Sequence, residues 1–116
     1  MKQVRYSVEV ELQLVESIDQ LVERGYFSEE DYAVNYIRDL VTYFQLNLDH
    51  LASFDAPEYF ARYGSGLKYA IYRKSNRTTW YAFFKETPDA LTIVYLGNNL
   101  LIGHHLDLSL QSTHVD

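Results

Sequence analysis

The chain has no cysteine and only two prolines among its 116 residues. Without cysteine there is no disulfide framework and no thiolate chemistry. No apolar run approaches the length that spans a bilayer, and the N-terminus lacks the apolar core of a signal peptide, so we expect a cytoplasmic protein with no membrane partner. Basic charge is scarce too, since ten Lys and Arg stand against sixteen Asp and Glu, a formal net charge of −6. A field of that sign repels nucleic acid at long range.

The charge is divided unevenly along the chain. Residues 1–58 have a formal charge of −8 and residues 59–116 a formal charge of +2. Residues 62–85 contain six basic residues, seven aromatics and no acid. Cationic side chains neutralise phosphate and aromatic faces stack on unpaired bases, so this segment is a candidate polyanion site. The alternative is a set of ordinary strands, which are rich in aromatics and often expose Lys or Arg. The candidate nucleic-acid contacts are Arg62, Arg73, Lys74, Arg77 and Lys85.

The first half of the chain has a strand pattern followed by two helical patterns. Helical spacing extends over residues 14–22 and 33–51. Gly25 is placed to end the first helix, and Ser28 to cap the second. The short link between them predicts an antiparallel helical hairpin. Before the helices, alternation with polar residues predicts an N-terminal strand that carries Val4, Tyr6, Val8 and Val10.

The second half has the period of strands. Residues 67–74 alternate between apolar and polar positions and predict a strand; residues 78–85 and 91–96 predict two more, and turn-forming residues separate the three segments. Gly97-Asn98-Asn99 is expected to close the last strand as a turn. These segments predict a three-stranded antiparallel meander packed on the helical hairpin. The fold class is therefore α+β, with the other sheet face open.

The length of the chain predicts a single domain over residues 1–116. Its core is expected over about 3–99, followed by a C-terminal tail at 100–116. The alternation of Leu106, Leu108 and Leu110 makes the tail either a short final strand or a segment that a partner orders. One hydrophobic core is expected between hairpin and sheet, formed by Val4, Val8, Ile18, Leu21, Ile37, Leu40, Phe44, Ile71 and Ile93.

The order of these elements resembles the RelE/ParE toxin superfamily of bacterial toxin–antitoxin systems over about residues 3–99. The resemblance implies a RelE/ParE-like α+β fold. The short cues that carry it are Leu51 with Pro57, Ser65-Gly66-Leu67-Lys68, Tyr72-Arg73, and a last strand at 92–96 followed by Gly97 and two polar residues.

The resemblance implies a toxin component of such a module. RelE-like members cleave messenger RNA at the ribosome without a metal, and ParE-like members inhibit DNA gyrase. The implied partners are an antitoxin-like protein, RNA or the ribosome, and a second copy in a homodimer. Lys68 matches the Arg that follows Ser-Gly-x in RelE-like sequences. Asn99 stands where they have an Arg, and no Tyr follows Tyr95. These departures favour an alternative, a catalytically silent module that keeps the fold and binds a protein partner through the open sheet face.

His104 and His105 complete the catalytic candidates, with Lys68 and Asn99. Histidine titrates near neutral pH and can act as general acid or base in RNA transesterification. The alternative is that two adjacent histidines in a tail lie in solvent. The sequence has no His-x-x-x-His spacing for a metal. We therefore expect no metal and no cofactor, and an active enzyme would be a metal-independent ribonuclease.

Overall fold

Two helices and five strands make up the part of the chain that the computed structural model describes, residues 2–25 and 27–99. His104, His105 and the alternating tail lie outside the described residues. Short 3-10 segments occur at Leu48–His50 and Glu58–Tyr63. The regular elements, in chain order, are β1 (Gln3–Tyr6), α1 (Val8–Glu23), α2 (Glu30–Asn47), β2 (Phe54–Asp55), β3 (Lys68–Arg73), β4 (Thr79–Glu86) and β5 (Ala90–Asn98).

The first strand is shorter than predicted, because Ser7 starts a helix. Its hydroxyl accepts a hydrogen bond from the Val10 N–H at 3.2 Å, and Glu9 and Glu11 follow in the first turn. A side-chain cap and acidic residues both stabilise a helix N-terminus. The helical period then buries Val10 and leaves 68% of Val8 exposed, so the prediction that Val8 belongs to the core is wrong.

The two helices form the predicted hairpin, with one correction at the link. Gly25 comes directly after the C-cap residue of α1, Arg24, and has φ 76°; its N–H bonds to the Val22 carbonyl, as expected for a glycine that ends a helix. The N-cap of α2 is Glu29, which makes no side-chain capping bond. The prediction of Ser28 as the cap is therefore wrong by one residue.

The five strands form one mixed sheet in the order β1-β5-β4-β3-β2. The β3–β4 and β4–β5 pairs are antiparallel, whereas β1 lies parallel to β5. β2 adds only two residues to the outer edge of β3. The α+β class is confirmed, but β5 continues through Gly97 and Asn98, which were expected to form a turn.

The main core lies between the helices and one face of the sheet. Ile37, Leu40 and Phe44 of α2 are buried there, as predicted. Ile18 and Leu21 pack at its margin. Other buried members of this core include Val4, Ala70, Trp80, Ala82, Phe84, Leu91, Ile93 and Leu96.

Ile71 is the second error in the predicted core, since 39% of it is exposed. Strand alternation directs Ala70 and Tyr72 towards the helices, where both join the main core. Ile71, between them, therefore lies on the opposite sheet face.

A second, smaller core covers part of the sheet face that was predicted to be open. It consists of Phe60, Leu67, Tyr69 and Phe83. The Phe60 and Phe83 rings lie 4.2 Å apart between centroids at an angle of 24°. The Glu58–Tyr63 segment therefore covers part of this sheet face with aromatic side chains.

Tyr6 makes the fold sensitive to alkaline pH. Its hydroxyl donates to the Val41 carbonyl at 2.7 Å, and burial raises the pKa of Tyr6 well above its ordinary value of 10.0. Since the pKa is higher in the folded state, the stabilisation is complete below pH 10 and is lost as the pH rises further. Urea unfolding at about pH 8 and about pH 11 measures the loss. Between these two pH values, the free energy of unfolding should fall less for Tyr6→Phe than for the unmodified chain. The exposed Tyr32→Phe should behave like the unmodified chain, and an equal loss in all three would contradict this assignment.

Candidate functional site

The candidate phosphate-binding residues are divided between the two ends of the sheet. In the β3–β4 pair, Lys68 lies opposite Phe84, and Arg73 lies opposite Thr79. At a rise of 3.3 Å per residue, Lys68 and Arg73 are about 16 Å apart along the strand. Lys85 follows Phe84 and therefore lies at the same end of the sheet as Lys68. Arg73 lies at the other end, beside the turn that joins β3 to β4.

A lysine groove occupies the first of these ends. Lys2, Lys68 and Lys85 line it, and its volume is about 490 Å³. Lys2 reaches the groove because β1 runs parallel to β5, with Gln3 beside Ala90. Sequence reasoning missed Lys2, and only this long-range strand pairing could have identified it.

One carboxylate offsets part of the charge of the lysine groove. Glu86 accepts a hydrogen bond from Lys2 and forms an ion pair with it. That bond, together with the charges of Lys2 and Lys68, lowers the pKa of Glu86 below its ordinary value. The amines of Lys68 and Lys85 form no ion pair within 4.0 Å among the described residues. Each of these amines can bind a phosphate or carboxylate group as a point charge.

Asn99 lies at the opposite end of the sheet, and its side chain is already engaged. Its amide oxygen accepts from the Thr79 N–H at 3.0 Å, and its amide nitrogen donates to the Arg77 carbonyl at 3.1 Å. The two bonds tie Asn99, the residue after β5, to the start of β4 and to the turn between β3 and β4. Lys68 lies opposite Phe84, which lies opposite Ile93 in the middle of β5. Ile93 is six residues before Asn99, so Lys68 and Asn99 are about 20 Å apart along the strand direction. The structure therefore does not bring these two catalytic candidates together.

Two of the other basic candidates are held against aromatic rings. The Lys74 amine lies 4.6 Å from the ring centroid of Tyr36, on the helix side of the sheet. The Arg62 guanidinium lies 4.0 Å from the ring centroid of Tyr59 and donates to its carbonyl. Cation–π contacts of this kind stabilise the local structure and restrict the side chain. Arg73 and Arg77 are exposed.

An exposed apolar patch remains on the sheet face that carries the second core. We call Phe54, Ile71 and Arg73 the β3 edge patch. Phe54 is 47% exposed and Ile71 39% exposed. Since β2 pairs only with Lys68 and Tyr69, no strand covers the outer edge of β3 beyond Tyr69 within the described residues. Such an edge offers unpaired backbone groups to a partner strand.

No protein-family model, curated protein or solved structure matches the chain. The resemblance to the RelE/ParE superfamily therefore depends on the order of elements and the short sequence cues. Among the described residues, no helix is long and apolar enough to cross a membrane. Nor does that part of the chain hold a group of three His, Asp or Glu residues that could bind a metal ion.

Proposed function

We propose that the chain is a catalytically silent, cytoplasmic protein-binding module of the RelE/ParE type, with an antitoxin-like protein as its partner. The observation that carries this proposal is the position of Asn99. A ribonuclease must stabilise extra negative charge on a pentacoordinate phosphate. Asn99 adds no charge, is bonded to the β3–β4 turn and lies about 20 Å from Lys68 along the sheet.

The order of elements supports the RelE/ParE part of the proposal. An N-terminal strand, a helical hairpin and an antiparallel meander follow one another along the chain. The parallel pairing of β1 with β5 places the first and the last strand of this order side by side in the sheet.

The β3 edge patch supports a partner that binds as an extended strand. The outer edge of β3 supplies N–H and C=O groups for main-chain hydrogen bonds, which give affinity in strand addition. Phe54 and Ile71 supply an apolar surface for alternate side chains of the added strand. Arg73 supplies a positive charge that favours a carboxylate at the end of that strand.

Co-purification tests this proposal. The chain is co-expressed with the product of the adjoining reading frame, and the amount of that product retained on the tagged chain is measured. Ile71→Asp should abolish retention, because it places a charge where the added strand buries apolar side chains. Lys68→Ala, at the far end of the sheet, should retain the partner fully. Equal retention by both variants would exclude the β3 edge patch as the binding surface.

The lysine groove favours a second candidate function, a toxin that contacts RNA. Lys68 and Lys85 lie close enough to share one groove and could neutralise a phosphate backbone. Binding of single-stranded RNA at low salt tests this candidate, with Lys68→Ala expected to weaken it. Absence of binding at low salt would exclude it, because that condition favours phosphate contacts most.

A further inference from the structure

The outer face of α1 carries an exposed apolar stripe. Val8 is 68% exposed, and Leu12 and Val15 are each 62% exposed. Their spacing of four and then three residues places them on one face of the helix. The opposite face buries Val10 and Leu14 against the sheet. We call Val8, Leu12 and Val15 the α1 stripe.

Carboxylates flank the α1 stripe on both sides. The helix contains no Lys or Arg. Its five acids are all exposed, and none forms an ion pair within 4.0 Å among the described residues. These acids are Glu9, Glu11, Glu16, Asp19 and Glu23.

The stripe has the geometry of a coiled-coil seam. With Leu12 as position a, Val8 and Val15 are positions d of successive heptads. Glu9 and Glu16 are then positions e, and Glu11 is position g. In coiled coils the residues at e and g select the partner by charge. The three exposed e and g positions beside the stripe are therefore glutamates that favour Lys or Arg on a facing helix, whereas the next g position, Ile18, packs at the margin of the main core.

The same charges argue against other occupants. A second copy would bring two glutamate-flanked stripes together, and like charges at such positions repel. Residues 100–116 of the chain contain two acids and no Lys or Arg, so they offer no complementary charge. An anionic membrane surface would be repelled in the same way.

We propose that the α1 stripe docks an amphipathic helix of a partner protein, with an apolar seam flanked by Lys or Arg. Helix α1 packs on the sheet face that buries the main core, whereas the β3 edge patch lies on the opposite face. The α1 stripe is thus a second surface, and it does not depend on the role of the β3 edge patch.

Three synthetic helical peptides test this docking, each labelled for fluorescence anisotropy with the full chain. The first has Leu at positions a and d and Lys at e and g. The second keeps Leu but has Glu at e and g, and the third keeps Lys but has Ser at a and d. Only the first should bind, and its affinity should fall as salt rises, since exposed charge pairs are screened.

Protein variants locate the binding on α1. Leu12→Ser should weaken binding of the first peptide about tenfold, because the variant no longer buries the Leu12 side chain against the peptide. Val15→Ser should have a similar effect, and circular dichroism should show both variants folded. Leu46→Ser, at a leucine of α2 that is 69% exposed, should bind like the unmodified chain. Equal binding of the first and second peptides, no loss on Leu12→Ser, or no binding of the first peptide would each overturn the proposal. Any of these results would leave the Ile71→Asp co-purification result unaffected.

Discussion

Replacing Phe60 by Ala should lower the free energy of unfolding by about 3–5 kcal/mol. Phe60 is fully buried, and its ring stacks on Phe83 with centroids 4.2 Å apart. Removing the ring leaves a cavity between the Glu58–Tyr63 segment and the sheet, which the surrounding backbone can fill only in part. The change also removes the contact that holds this segment on the sheet.

Urea unfolding of Phe60→Ala, beside the matched control Phe54→Ala, measures this effect. Phe54 is 47% exposed at the sheet edge, so its truncation loses much less buried area. A cost for Phe60→Ala no larger than that for Phe54→Ala would show that the second core does not stabilise the fold. The exposure of the β3 edge patch would then also need a new explanation, because the second core covers the part of the same sheet face that lies beside this patch.

Changing Asn99 to Arg should destabilise the chain by about 1–3 kcal/mol and should not create RNA cleavage. The substitution leaves the Thr79 N–H and the Arg77 carbonyl without their side-chain partner. The new guanidinium would still be at the opposite end of the sheet from Lys68. A restored charge at this position therefore cannot act on a phosphate held in the lysine groove.

Two measurements check the Asn99 prediction. Urea unfolding should show a similar loss for Asn99→Ala and Asn99→Arg, whereas Asn76→Ala in the exposed turn should be nearly neutral. Incubation with single-stranded RNA should show no gain of cleavage for Asn99→Arg. Cleavage that rises in Asn99→Arg and disappears on Lys68→Ala would mean that the two ends of the sheet act on one substrate.

The α+β class could be predicted from the sequence because its periodic segments are long. Helix α2 repeats apolar residues over several turns, and the members Ile37, Leu40 and Phe44 were placed correctly in the core. The N-terminal alternation was misleading, since Val10 fits both a strand pattern that begins at Val4 and a helix pattern that continues to Leu14. The cap formed by Ser7 decides between them, and it depends on one hydrogen bond rather than on a period.

Strand alternation predicts which residues share a face but not which face meets the helices. Ile71 was assigned to the main core for this reason, although Ala70 and Tyr72 occupy it. The second core was missed because Phe60 lies in a 3-10 segment, which lacks the period of either regular element.

The sequence predicted which residue types the candidate site contains, but not how those residues are arranged in space. The basic residues are close in sequence, yet Lys68 and Arg73 are the first and last residues of β3, and an extended strand carries them to opposite ends of the sheet. The converse holds for Lys2, which is distant in sequence and reaches the lysine groove through the β1–β5 pair. Pairings of this range depend on the whole fold, so local patterns do not reveal them.

Growth of a bacterial host after induction of the unmodified chain alone tests the central claim most directly. We expect the induced cells to grow like uninduced cells, with intact messenger RNA, because Asn99 carries no charge and lies at the opposite end of the sheet from Lys68. Cells that express Lys68→Ala should grow at the same rate. Strong growth arrest by the unmodified chain, abolished by Lys68→Ala, would contradict a silent binding module and establish a toxin that acts through the lysine groove.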